Sequence, residues 1–359
     1  MPSQASLIDI AHKANCSKTT VSLALRNSPR ISEATREKIW RIAKELNYRP
    51  DPILSEIASR RWRGGSAHLA NCVFIAFCNP FAKFKRESSA YERQYCGVQE
   101  AAGSLGYSVE HLFFEEEPDY DKLGSMLWAR GVTGIVFSQL FSDELFKRVD
   151  FSEFSVVCAD RGHVDPPFHH ARNDMAYAME WAWRKALAAG EERIGVAILD
   201  EPKALDRQEK ISTALYFQQQ VAESQRVPII NYSRDDPDGE LMRWFRTYRP
   251  SVVVGFNDCV HAHLTRDGLL KSPEDFRFIS LIKNFKPGSE GISGFSMNHE
   301  LLGETSFRYL DQLVRHNERG VPEYSQIHLI KPVYYEGETF PSEANGGELA
   351  DSVSLAASG

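Results

Sequence analysis

Apolar side chains recur at helical spacing in three short segments at the start of the chain. In "SLIDIAHKA", Leu7, Ile10, Ala11 and Ala14 fall at i, i+3, i+4 and i+7, one face of a helix. Ser6 precedes that face and Asp9 stands three residues on, like a capping box with a shorter acid. Asn15 breaks the helix, because Asn tolerates the left-handed backbone that a tight turn needs. In "CSKTTVSLALRNSP", Ser17 caps a second helix that begins at Lys18 and runs to about Leu25, with Val21, Ala24 and Leu25 on its apolar face. A loop, "RNSPRIS", ends it at Pro29. Ser32 then caps a third helix, "EATREKIWRIAKELNY", whose Ala34, Ile39, Ile42, Ala43 and Leu46 are expected to face inward.

Two helices joined by a turn of three or four residues, with a third packed behind, make a helix-turn-helix, whose second helix enters the major groove of DNA. The pattern leaves Lys18, Thr19, Thr20 and Ser22 opposite the buried face of the second helix. Short polar side chains permit close backbone approach. A lysine donates to guanine O6 and N7, and a threonine hydrogen-bonds or packs its methyl on that of thymine. Arg26, Asn27, Arg30 and Thr35 are placed near phosphates, and the caps Ser6 and Ser17 join the DNA-facing set. Charge supports this. Residues 1–65 hold twelve Lys or Arg against six Asp or Glu, a net +6 in a chain of net −7, so the remainder carries −13. A basic head on an acidic body points to a polyanionic partner for the head.

Beyond residue 70 the period changes. Strand-like runs are expected at 72–78, 107–114, 132–138, 154–159, 193–199, 227–232, 251–256 and 277–282. Amphipathic stretches such as "YERQYCGVQEAAGSLG" and "MAYAMEWAWRKALAAG" lie between most of them. Such alternation implies parallel sheets with helices on both faces, and the length suits two Rossmann-like lobes. The fold class is therefore multidomain: a small all-α head and a two-lobed α/β body.

The segment "SLIDIAHKANCSKTTVSLALRNSPRISEATREKIWRIAKELNYRPDPILSEIASR" resembles the head of the lactose/galactose repressor (LacI/GalR) family almost without gaps, with "ELNYRP" especially typical. In that family a short hinge helix follows, which orders on operator DNA and wedges an apolar residue into the minor groove. The resemblance puts Ile57 at the wedge position, followed by Ala58, in "PDPILSEIASRR"; such wedges unstack a base step and kink the duplex. Where family members often place a long polar residue this chain has Leu23, so base readout leans on Lys18 and Thr19, with apolar contact from Leu23. In the body, "LAAGEERIGVAIL" and "RPSVVVGFND" are similar to family stretches. The resemblance implies a periplasmic-binding-protein-like body that clamps a small effector, a sugar or sugar derivative, and that dimerises. It also implies effector contacts from Phe81, Asp174, Arg207, Asn257 and Asp258 at the ends of strands. Asp174 reads equally as a helix cap, and Asn257–Asp258 as a turn. The family's acidic pair after the last strand of the second lobe is absent. Lys283–Asn284 stand near that place, where a lysine would accept an anionic group.

These readings divide the chain into a DNA-binding domain at 1–48, a hinge and linker at 49–66, an effector-binding and dimerisation body at 67–340, and a polar tail at 341–359 read as disordered. The expected function is a sequence-specific transcription regulator, a repressor, whose affinity for double-stranded operator DNA is set by an effector. An enzyme is the competing class, but the chain lacks a P-loop, GxSxG, HExxH, or a GxGxxG after a strand. A solute-binding protein is the third, opposed by the basic head. No cofactor is expected. His169–His170 and His261-x-His263 lack a clear third ligand for a metal. With no apolar run long enough to span a bilayer, no leader-like start and six scattered cysteines, the reading is a cytoplasmic homodimer with reduced thiols.

Overall fold

The computed structural model describes residues 7–25, 31–46, 48, 70–77, 89–114, 118–138, 143–159, 167–200, 205–233, 239–268, 270–283 and 289–341. The chain divides into two compact units. One comprises Met1–Cys158, Val164–His170 and Gly303–Gln326; the other comprises Ala159–His163, Ala171–Leu302 and Ile327–Gly359.

The first unit opens with α1 (Leu7–Ala14), α2 (Lys18–Leu25) and α3 (Glu33–Glu45). Their shared core holds Ile10, Ala11, Ala14, Val21, Ala24, Ile39, Ile42 and Ala43, with Leu7, Leu25 and Leu46 half-buried against it. The expected inward face of the third helix fails at one position: Ala34 is exposed, because it lies in the first turn, ahead of the stretch that packs on α1 and α2.

The same unit continues with β1 (Ala70–Phe77), α4 (Ser89–Leu105), β2 (Tyr107–Phe114), α5 (Tyr120–Ala129), β3 (Val132–Ser138), α6 (Asp143–Arg148) and β4 (Ser155–Ala159), then reaches β5 (His169–Asn173). Val73 and Ile75 of β1 enter a core with Ile135, Phe137, Leu123 and Leu127, while Phe74, on the opposite face of β1, meets the rings of Tyr91 and Tyr95 on α4. Both faces of the strand are thus buried, as parallel sheets require.

The second unit contains α7 (Met175–Ala188), β6 (Ile194–Leu199), α8 (Leu205–Gln218), β7 (Ile230–Tyr232), α9 (Glu240–Tyr248), β8 (Val252–Gly255), α10 (Asp258–Thr265), β9 (Arg277–Ser280) and β10 (Gly294–Ser296). Helix α11 (His299–His316) and strand β11 (Ile327–Ile330) follow, and β12 (Val333–Tyr335) closes the order. The two-residue period is visible in the packing. Val252 and Val254 join Ile194, Val196 and Ile198 in one core, and Val253 joins Ala197 and Leu199 in the other.

The strand orders are β11-β5-β4-β3-β1-β2 and β12-β10-β9-β8-β6-β7. Strands β1–β2, β1–β3, β6–β7, β6–β8, β8–β9 and β9–β10 pair parallel, and β10–β12 antiparallel. In each sheet the chain moves outward from one strand to a neighbour, then returns to that strand's other side. Strands β5, β10, β11 and β12 were not expected. β5 reads "HHARN", all five residues buried yet four of them polar, so hydropathy conceals it.

Strand β5 and helix α11 each carry the chain from one unit to the other, at 170/171 and 302/303. Gly303 of α11 is packed against the α4 backbone: a Cβ there would overlap the Gln94 carbonyl oxygen. Gly103 of α4 has nothing within 4 Å of a Cβ. Gly303→Ala is therefore expected to destabilise the protein by about 1–3 kcal/mol. Gly103→Ala is expected to stabilise it by about 0.5–1 kcal/mol through helix entropy. Denaturant melts of both variants check the pair.

Candidate nucleic-acid interface and effector site

The turn of the head is made by Asn15, at φ 53°, in the left-handed region anticipated for it. The Cys16 N–H donates to the Ala11 carbonyl at 3.1 Å, closing the end of α1. Ser17 then starts α2: its Oγ accepts the Thr20 N–H at 3.0 Å and lies 2.8 Å from the Thr20 hydroxyl. The α3 start repeats this arrangement, with Ser32 Oγ accepting the Thr35 N–H at 3.4 Å and lying 2.8 Å from the Thr35 hydroxyl. Lys38 of α3 donates to the Ala14 carbonyl at 2.9 Å, which fixes α3 on the end of α1.

Helix α2 is consequently held by Val21 and Ala24, both fully buried, while Ser17, Lys18 and Thr19 are exposed and Thr20, Ser22 and Leu23 are half-buried. Two hydroxyls of the DNA-facing set, on Ser17 and Thr20, bond each other, and Thr35 is engaged by its cap. Lys18 and Thr19 are exposed on the face of α2 opposite Val21 and Ala24. Ser6, Arg26, Asn27, Arg30, Ile57 and Ala58 lie outside the described residues.

Ligands of open parallel sheets sit beyond the strand ends where the strand order reverses. In the first unit that point lies between β1 and β3. Phe81, which follows β1, is outside the described residues; Ser138, ending β3, bonds the buried Gln94 side chain. In the second unit the reversal lies between β6 and β8, and Asn257 and Asp258 directly follow β8. Asn257 caps α10, its Oδ1 accepting the Cys259 N–H at 3.0 Å, which leaves the amide NH₂ as its remaining donor. Asp258 is 9% exposed. Asp174 caps α7, its carboxylate accepting the Tyr177 N–H at 2.9 Å. Arg207 lies in the first turn of α8, the helix that follows β6.

The expectation for Lys283 is corrected. Its ammonium is buried and donates to the carbonyls of Ser289 at 2.7 Å, Glu290 at 3.4 Å and Ile292. Burial pulls its pKa below the ordinary lysine range, against the opposing pull of the Asp258 and Glu290 carboxylates. These carbonyls engage the ammonium, so this lysine holds the backbone of Ser289, Glu290 and Ile292 rather than standing out towards a ligand. Asn284 is outside the described residues.

Sequence reasoning missed two features. Lys210 of α8 is fully buried, with Nζ 4.1 Å from the centre of the Phe256 ring, immediately before Asn257. Its signal was periodicity: Lys210, Ala214 and Phe217 share the buried face at i, i+4 and i+7. Arg172 of β5 is 9% exposed and grips Glu209 of α8 with both ends of its fork, at 2.6 and 2.7 Å. Among the described residues, no group of three or more His, Cys, Asp or Glu side chains is placed to hold a metal, and no helix is long and apolar enough to cross a membrane.

A helix-turn-helix with an exposed polar second helix, followed in the chain by two doubly wound sheets, is the plan of a DNA-binding transcription regulator. Residues 6–51 match the family model of bacterial regulatory proteins, lacI family. The HTH-type transcriptional repressor PurR of Escherichia coli O139:H28 (strain E24377A / ETEC) is 25% identical over 340 residues, covering 90% of this chain and 94% of the relative. The lac repressor dimer bound to operator and the anti-inducer ONPF superposes with a TM-score of 0.57 at 16% identity, covering 95% of this chain and 100% of that one. The transcriptional regulator CelR–cellobiose complex gives 0.57 at 16% identity, over 94% of this chain and 100% of that one. Residues 6–51 are thus similar to the DNA-binding head of the lacI family, and the chain over most of its length is similar to transcriptional repressors that carry that head.

Removing the Lys283 ammonium strands the carbonyls it serves. Lys283→Met is expected to cost about 1–3 kcal/mol of stability, read in a urea melt, with Lys283→Arg recovering part of it. Equal midpoints for wild type and Lys283→Met would show the loop to be held by other contacts.

Proposed function

We propose that the protein binds a pseudo-palindromic operator as a homodimer and that a small effector in the body, a sugar or sugar derivative, sets its operator affinity in the cytoplasm. The observation that carries the DNA half is the presentation of Lys18 and Thr19 on an α2 anchored from behind by Val21 and Ala24. Leu23 and Ser22 add contact beside them. Arg26, Asn27 and Arg30 follow in sequence and supply phosphate contacts, as does Thr35 beside the α3 start. Residues 1–48 act as the DNA-binding domain, 49–66 as hinge and linker, and 67–340 as the effector-binding and dimerisation body. Ile57, with Ala58 beside it, is the minor-groove wedge at the centre of the operator.

The effector half rests on the reversal point of the second sheet, where Asn257 and Asp258 follow β8 and α8 follows β6, with Asp174, Arg207 and Phe81 as the further contacts that the family resemblance implies. Amide and carboxylate groups suit hydroxyl-rich ligands. The cellobiose named with CelR supports the sugar class. Lys283, occupied by carbonyls, removes the reason to favour an anionic ligand at that position.

Binding-site selection on random duplex DNA tests the first half. Lys18→Ala and Thr19→Ala are expected to alter the selected base preference, at ~1–3 kcal/mol for each lost contact, while Arg30→Ala lowers affinity evenly across sequences. Identical selected motifs for wild type and both α2 variants would overturn this assignment, and sedimentation of a monomer on DNA would overturn the dimer.

For the second half, a thermal-shift screen of sugars, sugar acids and sugar phosphates identifies the class. Asn257→Asp keeps the helix cap and loses the amide donor. It is expected to weaken the shift from the best compound at least tenfold in midpoint concentration, without the roughly 1 kcal/mol stability loss that Asn257→Ala brings through the missing cap.

A further inference from the structure

Arg172 and Glu209 form the best-defined partly buried ion pair described in the second unit. Both guanidinium nitrogens reach both carboxylate oxygens, at 2.6 and 2.7 Å, and their side chains are only 11% and 30% exposed. The geometry is the rigid fork-to-fork pairing available to arginine and not to lysine. What it joins is unusual. Arg172 lies in β5, the strand that belongs to the first unit at His169–His170 and to the second from Ala171. Glu209 lies in α8, the helix that follows β6 at the reversal point and packs Lys210 on Phe256.

Strand β5 lies between β4 and β11 in its sheet, and on the β11 side the His170 N–H donates to the Gln326 carbonyl and the Asp174 N–H to the Ile330 carbonyl, each at 2.9 Å. The strand is therefore fixed to its sheet neighbours by the backbone, and to α8 through this side-chain pair. A partly desolvated ion pair gains little stability, because the cost of taking charge out of water offsets much of the attraction. Its strength is geometric: it tolerates few relative placements of the two elements it joins.

We propose that Arg172 and Glu209 are a positioning pair that couples the placement of α8 to the linking strand β5, and through it effector occupancy to operator affinity. The proposal rests on the effector reading of the reversal point given above. It assigns the pair no contact with effector or DNA. Movement of α8 on occupancy loads β5 through the fork, and without the fork α8 and β5 settle independently.

The test uses the full-length protein and its own selected duplex, with no effector required. Glu209→Gln removes the charge and keeps the shape, Arg172→Lys removes the fork and keeps the charge, and Arg172→Glu/Glu209→Arg exchanges the partners. Each is measured for amide hydrogen exchange across 169–174 and 205–218 and for affinity to the duplex selected by wild type. Both single variants are expected to exchange at least fivefold faster in β5 and to bind the duplex with an affinity changed by about fivefold or more, the lower end of ordinary coupling between sites. The exchanged pair is expected to restore both readouts. Single variants with wild-type exchange in β5 and wild-type duplex affinity overturn the proposal, as does an exchanged pair that remains at the single-variant level. If one single variant fails to fold, the other variant and the exchanged pair decide between these outcomes. A wild type that selects no duplex at all defeats the DNA reading instead, and the exchange measurement still tests whether the pair couples α8 to β5.

Discussion

Burying both faces of two parallel sheets is the constraint from which the rest of the body follows. Val252 and Val254 pack to one side of β8 and Val253 to the other, so neither face can be left to water. Helices must cover both, and from β1 to β4 and from β6 to β9 each strand connects to the next through one of them. Polar side chains are then excluded from the sheet faces and collect where strands end. That is why Asn257 and Asp258 follow β8, at the reversal between β6 and β8 where the effector is proposed to bind. The same constraint makes the exceptions informative. Lys210, Lys283 and Arg172 are cations drawn inside, and each is held by a specific arrangement: a ring face, a set of carbonyls, a carboxylate fork.

The head solves a different problem. Eight buried residues on three short helices form a small core, and side-chain bonds to the backbone supplement it. Ser17 and Ser32 cap two helices, and Lys38 closes the end of the first. Each satisfies backbone groups at a helix end that short helices expose in high proportion. The stability of the reading surface thus depends on residues turned away from it.

Much of this organisation was legible in the chain. The period of α1 and α2, the left-handed Asn15 and the cap at Ser17 were all local signals, and local physics decides them. The eight expected body strands are present with ends shifted by up to three residues, because runs of Val and Ile announce themselves. What stayed hidden depended on distant partners. β5 is polar in sequence and becomes a strand because β4 and β11 flank it. Ala34 fits the apolar pattern and is left outside by the geometry of three helices. Lys283 looks like a free charge until the chain folds carbonyls from six to nine residues onward around its ammonium. The partner of Arg172 lies 37 residues away in sequence, a pairing that no window along the chain reveals.

In α2 the side chains that hold the helix and those that face outward are different residues. Val21 and Ala24 are fully buried, whereas Lys18 and Thr19 project without packing duties. Mutational tolerance is therefore split within a segment of eight residues. Exchanges at the outward positions spare the core, so, on the proposed role of α2, a descendant of this chain can drift to a new DNA target by single steps, each intermediate remaining folded. On that role, duplicated copies can diverge in what they control before anything in their bodies changes.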